Sequence, residues 1–309
     1  MELSFQQISY IIALAEEKSF GKASKQCFVT QPTLSMQIKK AEETLGFALF
    51  DRESNPIELS DDGKQILPYL YDLKADLEEV KRYANRKNGV SKNEIKIGII
   101  PTIAAYLVPA LFSNKAKFKH LIKWELIELK SEDLLVALQQ KKIDMGIMAG
   151  PYYSEDLDIT PLYNEEIMLY YPETNKDNLH VSELEVLQPW LLTAGNCLRT
   201  QMINFCQLSE EKQSEWNYEG GNLEMLIKMV NMFGGYTLIP YFYKESYLLQ
   251  NKGLKHLYSE KTTINPARTI LSLSSPKNRK RAEMNELINF LKSQFANLKE
   301  KEFNLLNWK

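Results

Sequence analysis

The stretch FGKASKQCFVTQPTLSMQIKKAEETLGFALF, residues 20–50, decides the fold of the N-terminal part of the chain. Ser19 precedes a short helical pattern whose apolar residues recur at intervals of three and four. Thr30 is placed to cap the next helix, Pro32 is tolerated in its first turn, and Gly46 ends it. The buried stripe of that helix is predicted to be Leu34, Ile38, Ala41 and Leu45. The stretch therefore predicts two helices joined by a turn.

The flanking segments complete a small domain. Upstream, Ser4 and Gln7 form a capping-box pattern before a first helix that continues to about Glu16. Downstream, residues 48–59 contain two short strand patterns around a turn, which is typical of a wing. We predict a winged helix-turn-helix over residues 1–60, a fold that sets its recognition helix into the major groove of DNA. The predicted DNA-contacting residues are Gln31, Pro32, Thr33, Ser35, Met36, Lys39 and Arg52.

The charge balance of this domain does not favour a DNA partner. Residues 1–60 hold six Lys and Arg against eight Asp and Glu, whereas DNA-binding domains are usually strongly basic. Local clustering of the basic groups and a doubled site in a dimer would compensate for this balance. The alternative, a small helical domain with solvated polar faces, stays open on the pattern alone.

Residues 61–88 predict one long linker helix, which begins after the cap Ser60 and ends before a hinge at residues 88–92. Its apolar residues alternate spacings of four and three, which is the seam of a coiled coil and implies a partner helix. A homodimer is the simplest way to supply that helix. The alternative is that the stripe packs on the chain's own domain. The predicted dimerisation residues are Ile66, Leu70, Leu73, Leu77 and Val80, with Ala84 at the end of the seam.

From residue 93 onward, strand and helix patterns alternate, which predicts a parallel sheet in an α/β effector domain. Thr102 follows the first strand, and Ser131 is placed to cap a helix. We predict two lobes with a cleft between them, in a chain that is α+β overall. Lobe I comprises residues 93–161 and 269–309, and lobe II residues 162–268. The predicted strands are at 95–102, 121–129, 143–148, 167–171, 190–193, 236–239 and 268–273, and the closing helix at 280–299.

Length and composition agree with two globular domains, since the 309 residues are 44% hydrophobic and 25% charged. No stretch approaches the ~18 apolar residues of a membrane span, and the N-terminus lacks a secretory signal pattern. We therefore expect a cytoplasmic protein without a membrane partner, whose three cysteines are reduced thiols by default. No metal or cofactor is expected, because the three histidines lack metal-ligand spacing and no phosphate-binding glycine motif occurs.

The segment Phe20–Phe50 resembles the DNA-binding domain of LysR-type transcriptional regulators. The shared set includes Ala23, the run Thr30–Ser35, Ile38, Glu42, Leu45–Gly46 and Leu49–Phe50. The resemblance implies a regulator rather than an enzyme, with an effector domain like that of periplasmic binding proteins. It also implies promoter DNA and RNA polymerase as partners, and a homodimer or homotetramer.

A second resemblance concerns Asn196–Gln201 and Phe205–Cys206, which are similar to the redox segment of the peroxide-sensing members of that family. It implies that Cys197 is the peroxidatic cysteine and Cys206 the resolving one, with hydrogen peroxide as inducer and a thioredoxin- or glutaredoxin-like dithiol as reductant. It also implies a peroxide pocket, whose residues are Thr102, Ser131, Asn196 and Arg268. Three positions depart from the pattern, because those members usually have His at Asn196, Asp at Thr200 and Thr at Ser131.

The residues around Cys197 also favour this chemistry on their own. Cys197 opens a predicted helix, where free N–H groups and the helix dipole favour an anion, and Arg199 lies two residues on. In a continuous helix, Cys197 and Cys206 would be ~13.5 Å apart along the axis and on opposite faces. Since a disulfide tolerates at most ~7 Å between Cα atoms, its formation requires the segment to unwind or refold. Such a change can be transmitted to a dimer interface.

Three alternatives remain at this stage. Both cysteines can be small buried hydrophobes, as free cysteines often are, and Cys27 is expected to be a core residue. The chain can be a LysR-type regulator that binds a metabolite in the cleft through Thr102 and Ser131, with idle cysteines. It can also be a thiol peroxidase, which would turn over repeatedly and lack promoter binding.

Overall fold

The computed structural model describes residues 2–88, 93–118, 122–208, 220–243, 253–259, 266–278, 280–295 and 304–305. Within these ranges, none of the helices has both the length and the apolar character needed to cross a membrane. The chain divides into two compact units, the first built on residues 1–93 and the second on residues 94–138 and 142–309.

The first unit begins with three helices whose ends follow the capping residues. Ser4 and Gln7 form the expected capping box, with Gln7 N–H donating to Ser4 Oγ at 3.2 Å and Ser4 N–H to Gln7 Oε1 at 2.9 Å. Thr30 Oγ1 accepts the N–H of Thr33 at 3.4 Å, and Gly46 closes the third helix with φ of +85°. The predicted helix positions are confirmed. The helices are α1 (Phe5–Glu17), α2 (Phe20–Gln26) and α3 (Gln31–Leu45).

A short hairpin and a long helix complete the first unit. Strands β1 (Phe50–Asp51) and β2 (Glu58–Leu59) pair antiparallel, as expected for a wing. Helix α4 spans Asp61–Lys87, and its cap Ser60 accepts the N–H of Gly63 at 2.9 Å. The side chains of α1, α3 and the start of α4 share one core, which includes Ile11, Leu14, Leu34, Ile38 and Leu70.

The second unit is built on a mixed sheet. The strands are β3 (Asn93–Ile99), β4 (Ile122–Glu128), β5 (Met145–Ala149), β6 (Asp158–Tyr170), β7 (Asn178–His180), β8 (Thr237–Pro240), β9 (Leu254–Tyr258), β10 (Pro266–Ser274) and β11 (Asn304–Leu305). The main path of the sheet runs in the order β4-β3-β5-β10-β6-β9-β7, with β11 paired to β10 and β8 to β6. The helices are α5 (Pro101–Ser113), α6 (Ser131–Gln139), α7 (Cys197–Cys206), α8 (Leu223–Phe233) and α9 (Arg281–Gln294).

Two separate hydrophobic clusters give this unit its two lobes. The first surrounds β3 and β5 and contains Ile97, Ile147 and Leu273. The second surrounds the C-terminal half of β6 and contains Leu169 and Leu238. Strand β6 contributes to both clusters, while β10 contributes to the first and pairs with β6 along most of its length, so this pair forms the ribbon that joins the lobes.

The sheet differs from the predicted one in two respects. Among the adjacent strands β3, β5, β10 and β6, only the β3–β5 pairing is parallel as predicted. The other two pairings are antiparallel, because β10 runs antiparallel to both β5 and β6. The segment predicted as a strand at 190–193 forms two isolated bridges instead, since Trp190 N–H and Thr193 N–H donate to different neighbours, Tyr236 and Gly220. The predicted end of the last helix at 296–299 and the hinge at 89–92 lie outside the described residues.

Candidate functional site

Cys197 lies at the first position of helix α7. Its side chain is 2% exposed and belongs to the hydrophobic cluster of the first lobe. The preceding Asn196 does not cap the helix with its side chain, which instead donates to the carbonyl oxygen and hydroxyl of Thr193 at 2.9 and 3.0 Å. The first-turn N–H groups of α7 therefore lie beside the thiol without a side-chain cap, which is an environment that favours negative charge.

A buried arginine provides the positive charge at this place. Arg268, on β10, is 0% exposed, and its Nη1 donates to Thr102 Oγ1 at 2.9 Å. Thr102 is the second residue of α5, so Arg268 reaches the N-terminus of that helix. Arg199, which the sequence places closest to the thiol, donates to the carbonyl of Leu192 at 2.7 Å. The cation that the structure directs into the site is therefore Arg268.

Glu165 is a site residue that sequence analysis missed. It lies opposite Arg268 in the β6–β10 pairing and is itself 0% exposed. Its Oε2 accepts from Arg268 Nε at 2.9 Å and from Nη2 at 2.8 Å, and its Oε1 accepts the N–H of Phe242 at 3.3 Å. No local pattern marks this residue, because 103 positions separate it from Arg268.

The charges of this site influence one another strongly. Burial lowers the pKa of Arg268, but charge interactions with Glu165, Cys197 and Tyr106 raise it, so the net pKa lies above the ordinary value. Arg268 is therefore permanently cationic. Burial raises the pKa of the Glu165 carboxyl, and Arg268 opposes this effect. The arginine is thus paired on one side and interacts with the Cys197 sulfur on the other.

Ser131 is the first residue of α6, and its hydroxyl does not act as the predicted cap. The Oγ atom is buried and has no hydrogen-bond partner within the described ranges. Its neighbours Lys130 and Glu132 bring it next to α7, because Lys130 Nζ reaches the Ala194 carbonyl at 3.5 Å and both side chains flank Gly195. Gly195 adopts φ of +82°, a conformation that glycine favours. The N-termini of α5, α6 and α7 therefore converge.

Gln201 has a second buried polar atom without a partner. It lies one turn after Cys197 on the same face of α7 and is 0% exposed. Its Nε2 donates to the Gly150 carbonyl at 3.3 Å, while Oε1 finds no donor among the described residues. Buried polar atoms are normally paired, so Ser131 Oγ and Gln201 Oε1 are suited to a small polar ligand. Sequence analysis did not single out Gln201, although its spacing of four from Cys197 was visible.

Cys206 lies at the other end of the same helix, in a different environment. It is the last residue of α7, is 7% exposed and belongs to the hydrophobic cluster of the second lobe. Burial raises the pKa of its thiol to about 12, against a smaller opposing effect of the Tyr236 hydroxyl. The two cysteines are free thiols at opposite ends of a continuous helix, as the sequence predicts. Cys27 is half-buried against the core of the first unit.

The predicted DNA-contacting residues lie on the surface of the first unit. Arg52 pairs with Glu42 Oε2 at 2.8 Å, and the other oxygen of Glu42 accepts the N–H of Leu49 at 2.8 Å. Arg52 is therefore held in the hairpin by a side chain from α3. The exposed members are Gln31, Pro32, Met36, Lys39 and Arg52, and the half-buried ones Thr33 and Ser35.

The apolar stripe of α4 divides into two parts. Ile66 and Leu70 pack into the core of the first unit, and Leu70 is only 2% exposed. Leu73 and Val80 are 45% and 61% exposed, and Leu77 is half-buried. The start of the seam thus stabilises its own domain, as the alternative prediction held, while its later part is open to a partner.

Family comparisons agree with the two units. Residues 5–64 match the description "Bacterial regulatory helix-turn-helix protein, lysR family", and residues 88–296 match "LysR substrate binding domain". The match to the second description alone extends over more than half of the chain.

Two relatives and one solved structure align with most of this chain. The HTH-type transcriptional regulator EstR of Acinetobacter baylyi is 27% identical over 298 residues, covering 96% of this chain and 98% of that protein. A hydrogen peroxide-inducible genes activator of Haemophilus influenzae is 29% identical over 284 residues, covering 89% and 91%. Full-length OxyR of Pseudomonas aeruginosa has a TM-score of 0.69 at 23% identity, covering 98% and 99%. The structural likeness supports the helix-turn-helix and two-lobed α/β folds.

Proposed function

Because the chain belongs to the LysR family of bacterial transcriptional regulators, we propose that it senses hydrogen peroxide through Cys197 and then changes its contacts with promoter DNA. Membership of this family makes it a DNA-binding regulator rather than an enzyme. The observation that carries the proposal is the placement of Cys197 at a helix N-terminus, in charge contact with the buried Arg268.

In the first step, the Cys197 thiolate attacks one oxygen of hydrogen peroxide and the O–O bond breaks. The sulfur becomes a sulfenic acid, and the second oxygen leaves as hydroxide, which takes up a proton to form water. The Thr102 hydroxyl accepts a hydrogen bond from Arg268, so its own proton is free to be donated to the leaving oxygen. Arg268 stabilises the negative charge that develops there, and Ser131 and Asn196 would complete the peroxide pocket.

In the second step, the Cys206 thiol condenses with the sulfenic acid to form a disulfide and water. The two thiols lie at opposite ends of α7, ~13.5 Å apart along the helix axis, so the helix has to unwind before the bond forms. A thioredoxin- or glutaredoxin-like dithiol would reduce the disulfide and become oxidised itself. The unwinding supplies a conformational signal to the rest of a homodimer or homotetramer on promoter DNA, where RNA polymerase would respond to it.

A metabolite sensor is the second candidate, and the EstR relative favours it. That regulator aligns with 96% of this chain, and its name does not refer to peroxide. In this case Thr102 and Ser131 would hold a small polar ligand in the same place, and the cysteines would be idle.

The experiment that separates the two candidates is a titration of reduced protein with about one equivalent of hydrogen peroxide, followed by disulfide mapping by mass spectrometry. We expect a Cys197–Cys206 disulfide that forms within seconds and is reversed by a dithiol. Cys197→Ser should abolish it, while the matched Cys27→Ser variant should behave as wild type because Cys27 lies in the other unit.

Promoter binding is then measured by footprinting for both redox forms. A change of footprint on oxidation that is lost in Cys197→Ser supports peroxide sensing. If neither cysteine reacts until peroxide is in large excess, or if Cys197→Ser leaves promoter activation unchanged, the redox proposal is wrong and the metabolite sensor takes its place.

A further inference from the structure

We propose that Glu165 is a positioning residue of the peroxide site, which holds the Arg268 guanidinium in the one orientation that presents it to Thr102 and Cys197. This inference rests on the proposed function and adds to it a residue on a different strand. Glu165 and Arg268 are direct cross-strand partners on β6 and β10, where these strands form the ribbon between the lobes.

The hydrogen bonds of Arg268 explain why one carboxylate determines its orientation. Both Nε and Nη2 donate to a single oxygen, Glu165 Oε2, at 2.9 and 2.8 Å. Nη2 also donates to the Thr102 carbonyl at 3.4 Å, and Nη1 donates to Thr102 Oγ1 at 2.9 Å. These bonds use four of the five N–H groups that a guanidinium has. The fifth, on Nη1, is left for the reacting atoms near Cys197.

Glu165 is in turn held so that it cannot rotate freely. Its second oxygen accepts the N–H of Phe242 at 3.3 Å, and the side chain is fully buried. A glutamine in its place has one acceptor oxygen and one NH₂ group, so it cannot satisfy both Arg268 and Phe242. Glu165→Gln therefore preserves shape and volume, but it replaces the charged acceptor by a neutral one and sets Arg268 and the Phe242 N–H in competition for a single oxygen, which loosens the hold on the guanidinium.

Loss of the Glu165 charge and displacement of the Arg268 guanidinium have different consequences for the reactions of Cys197, which makes the proposal testable. Without the Glu165 charge, Arg268 is an uncompensated cation, so the positive charge in the neighbourhood of Cys197 is not reduced. A misplaced guanidinium, however, no longer stabilises the leaving oxygen of the peroxide. Reactivity toward an alkylating agent and reactivity toward peroxide should therefore separate in Glu165→Gln.

The experiment measures both second-order rate constants for Cys197 in the full-length protein, with hydrogen peroxide and with iodoacetamide, between pH 6 and 9. In Glu165→Gln we expect the peroxide rate constant to fall about 10- to 100-fold, while alkylation stays within about 3-fold of wild type or rises. Equal losses in both reactions would show a merely structural role and overturn the proposal. An unchanged peroxide rate would overturn it as well, while leaving peroxide sensing intact.

A double variant tests whether Glu165 acts through Arg268. Arg268→Met with Glu165→Gln leaves no buried charge unpaired, so this protein should fold even if a single variant does not. If Glu165 acts through Arg268, the double variant should match Arg268→Met within about 3-fold in peroxide rate. A further 10-fold loss would show an independent action and contradict the proposal. If wild type itself reacts slowly with peroxide and normally with iodoacetamide, the proposed function and this role fail together.

Discussion

The two ends of helix α7 carry the same side chain in opposite environments. At the N-terminus, Cys197 lies in a first helical turn without a side-chain cap and interacts with a buried cation. At the C-terminus, Cys206 lies among apolar side chains, where burial raises the pKa of its thiol to about 12. Both thiols are nearly inaccessible, so exposure does not distinguish them. Local charge, rather than accessibility, is therefore what distinguishes the two thiols, and the proposed function assigns the peroxide reaction to Cys197 on this basis.

The comparison also explains why the inert thiol needs the helix to unfold. A protonated thiol is a weak nucleophile, and Cys206 remains protonated in its buried position up to about pH 12. Once the helix unwinds, its pKa returns toward the ordinary thiol value, which brings a thiolate within reach of neutral pH. Under the proposed function, we therefore expect oxidation of Cys197 first and exposure of Cys206 second.

The largest expected effect comes from removing Arg268, the cation at the N-terminal end of α7. Arg268→Met should lower the peroxide rate constant by about 100- to 1,000-fold, because a preorganised donor to the leaving oxygen is lost. It should also reduce the free energy of unfolding by about 3–5 kcal/mol, because Glu165 remains buried and unpaired. Stopped-flow kinetics and urea unfolding measure the two effects.

The control for this variant is Arg199→Met, which removes the other arginine of the region. Arg199 donates to the Leu192 carbonyl, so its loss should change the peroxide rate by less than about 3-fold. The stability deficit of Arg268→Met should shrink as the pH falls, since the unpaired Glu165 takes up a proton in the folded state. Equal kinetic losses in the two arginine variants would remove the distinction between them.

A smaller effect separates the two hydroxyls of the site. Ser131→Ala should lower the peroxide rate about 3- to 10-fold without lowering stability. Ser131 Oγ is buried and finds no partner in the described part of the chain, so its removal relieves a cost of about 1–3 kcal/mol. Thr102→Val should lower both rate and stability, because Arg268 Nη1 then loses its acceptor. Thermal unfolding in parallel with peroxide kinetics tests this contrast, and destabilisation by Ser131→Ala would contradict it.

The smallest effect concerns Cys206, at the C-terminal end of α7, and appears only at high pH. Since burial raises the folded pKa of Cys206 from 9.0 to about 12, the unfolded chain loses its thiol proton first as the pH rises. The resulting stability is complete below pH 9 and decreases between pH 9 and 12. Cys206→Ala should flatten this decrease in urea unfolding, more than Cys27→Ala, because Cys27 is only half-buried. If the free energy of unfolding of wild type and of Cys206→Ala changes with pH in the same way, the thiol is exposed in the folded state and the prediction is wrong.

Much of the fold was predictable because the signals were local. The capping pairs Ser4–Gln7 and Thr30–Thr33 act within one turn, and both are present in the structure. Helix α8 likewise begins at a local cap, since the Asn222 side chain accepts the N–H of Met225 at 2.9 Å. Cys197 at a helix N-terminus was predictable for the same reason, since Gly195 and Asn196 mark the helix start.

The contacts that turn these elements into a site were not predictable in the same way. The sequence contained no sign that β10 would run antiparallel beside β5 and β6, because strand polarity depends on the path of the intervening chain. The correct register then placed Glu165 opposite Arg268, and this made a carboxylate of β6 part of the site. A shift of one residue would have directed it to the other face of the sheet.

The sequence by itself determined the winged helix-turn-helix, the long linker helix and the position of Cys197 at a helix start, because caps and periodicity operate over a few residues. Tertiary structure alone decided which carboxylate pairs with Arg268 and which part of the α4 stripe remains exposed. The physical reason is that buried charges interact over a few ångströms of space, while the residues that carry them are 103 positions apart in the chain.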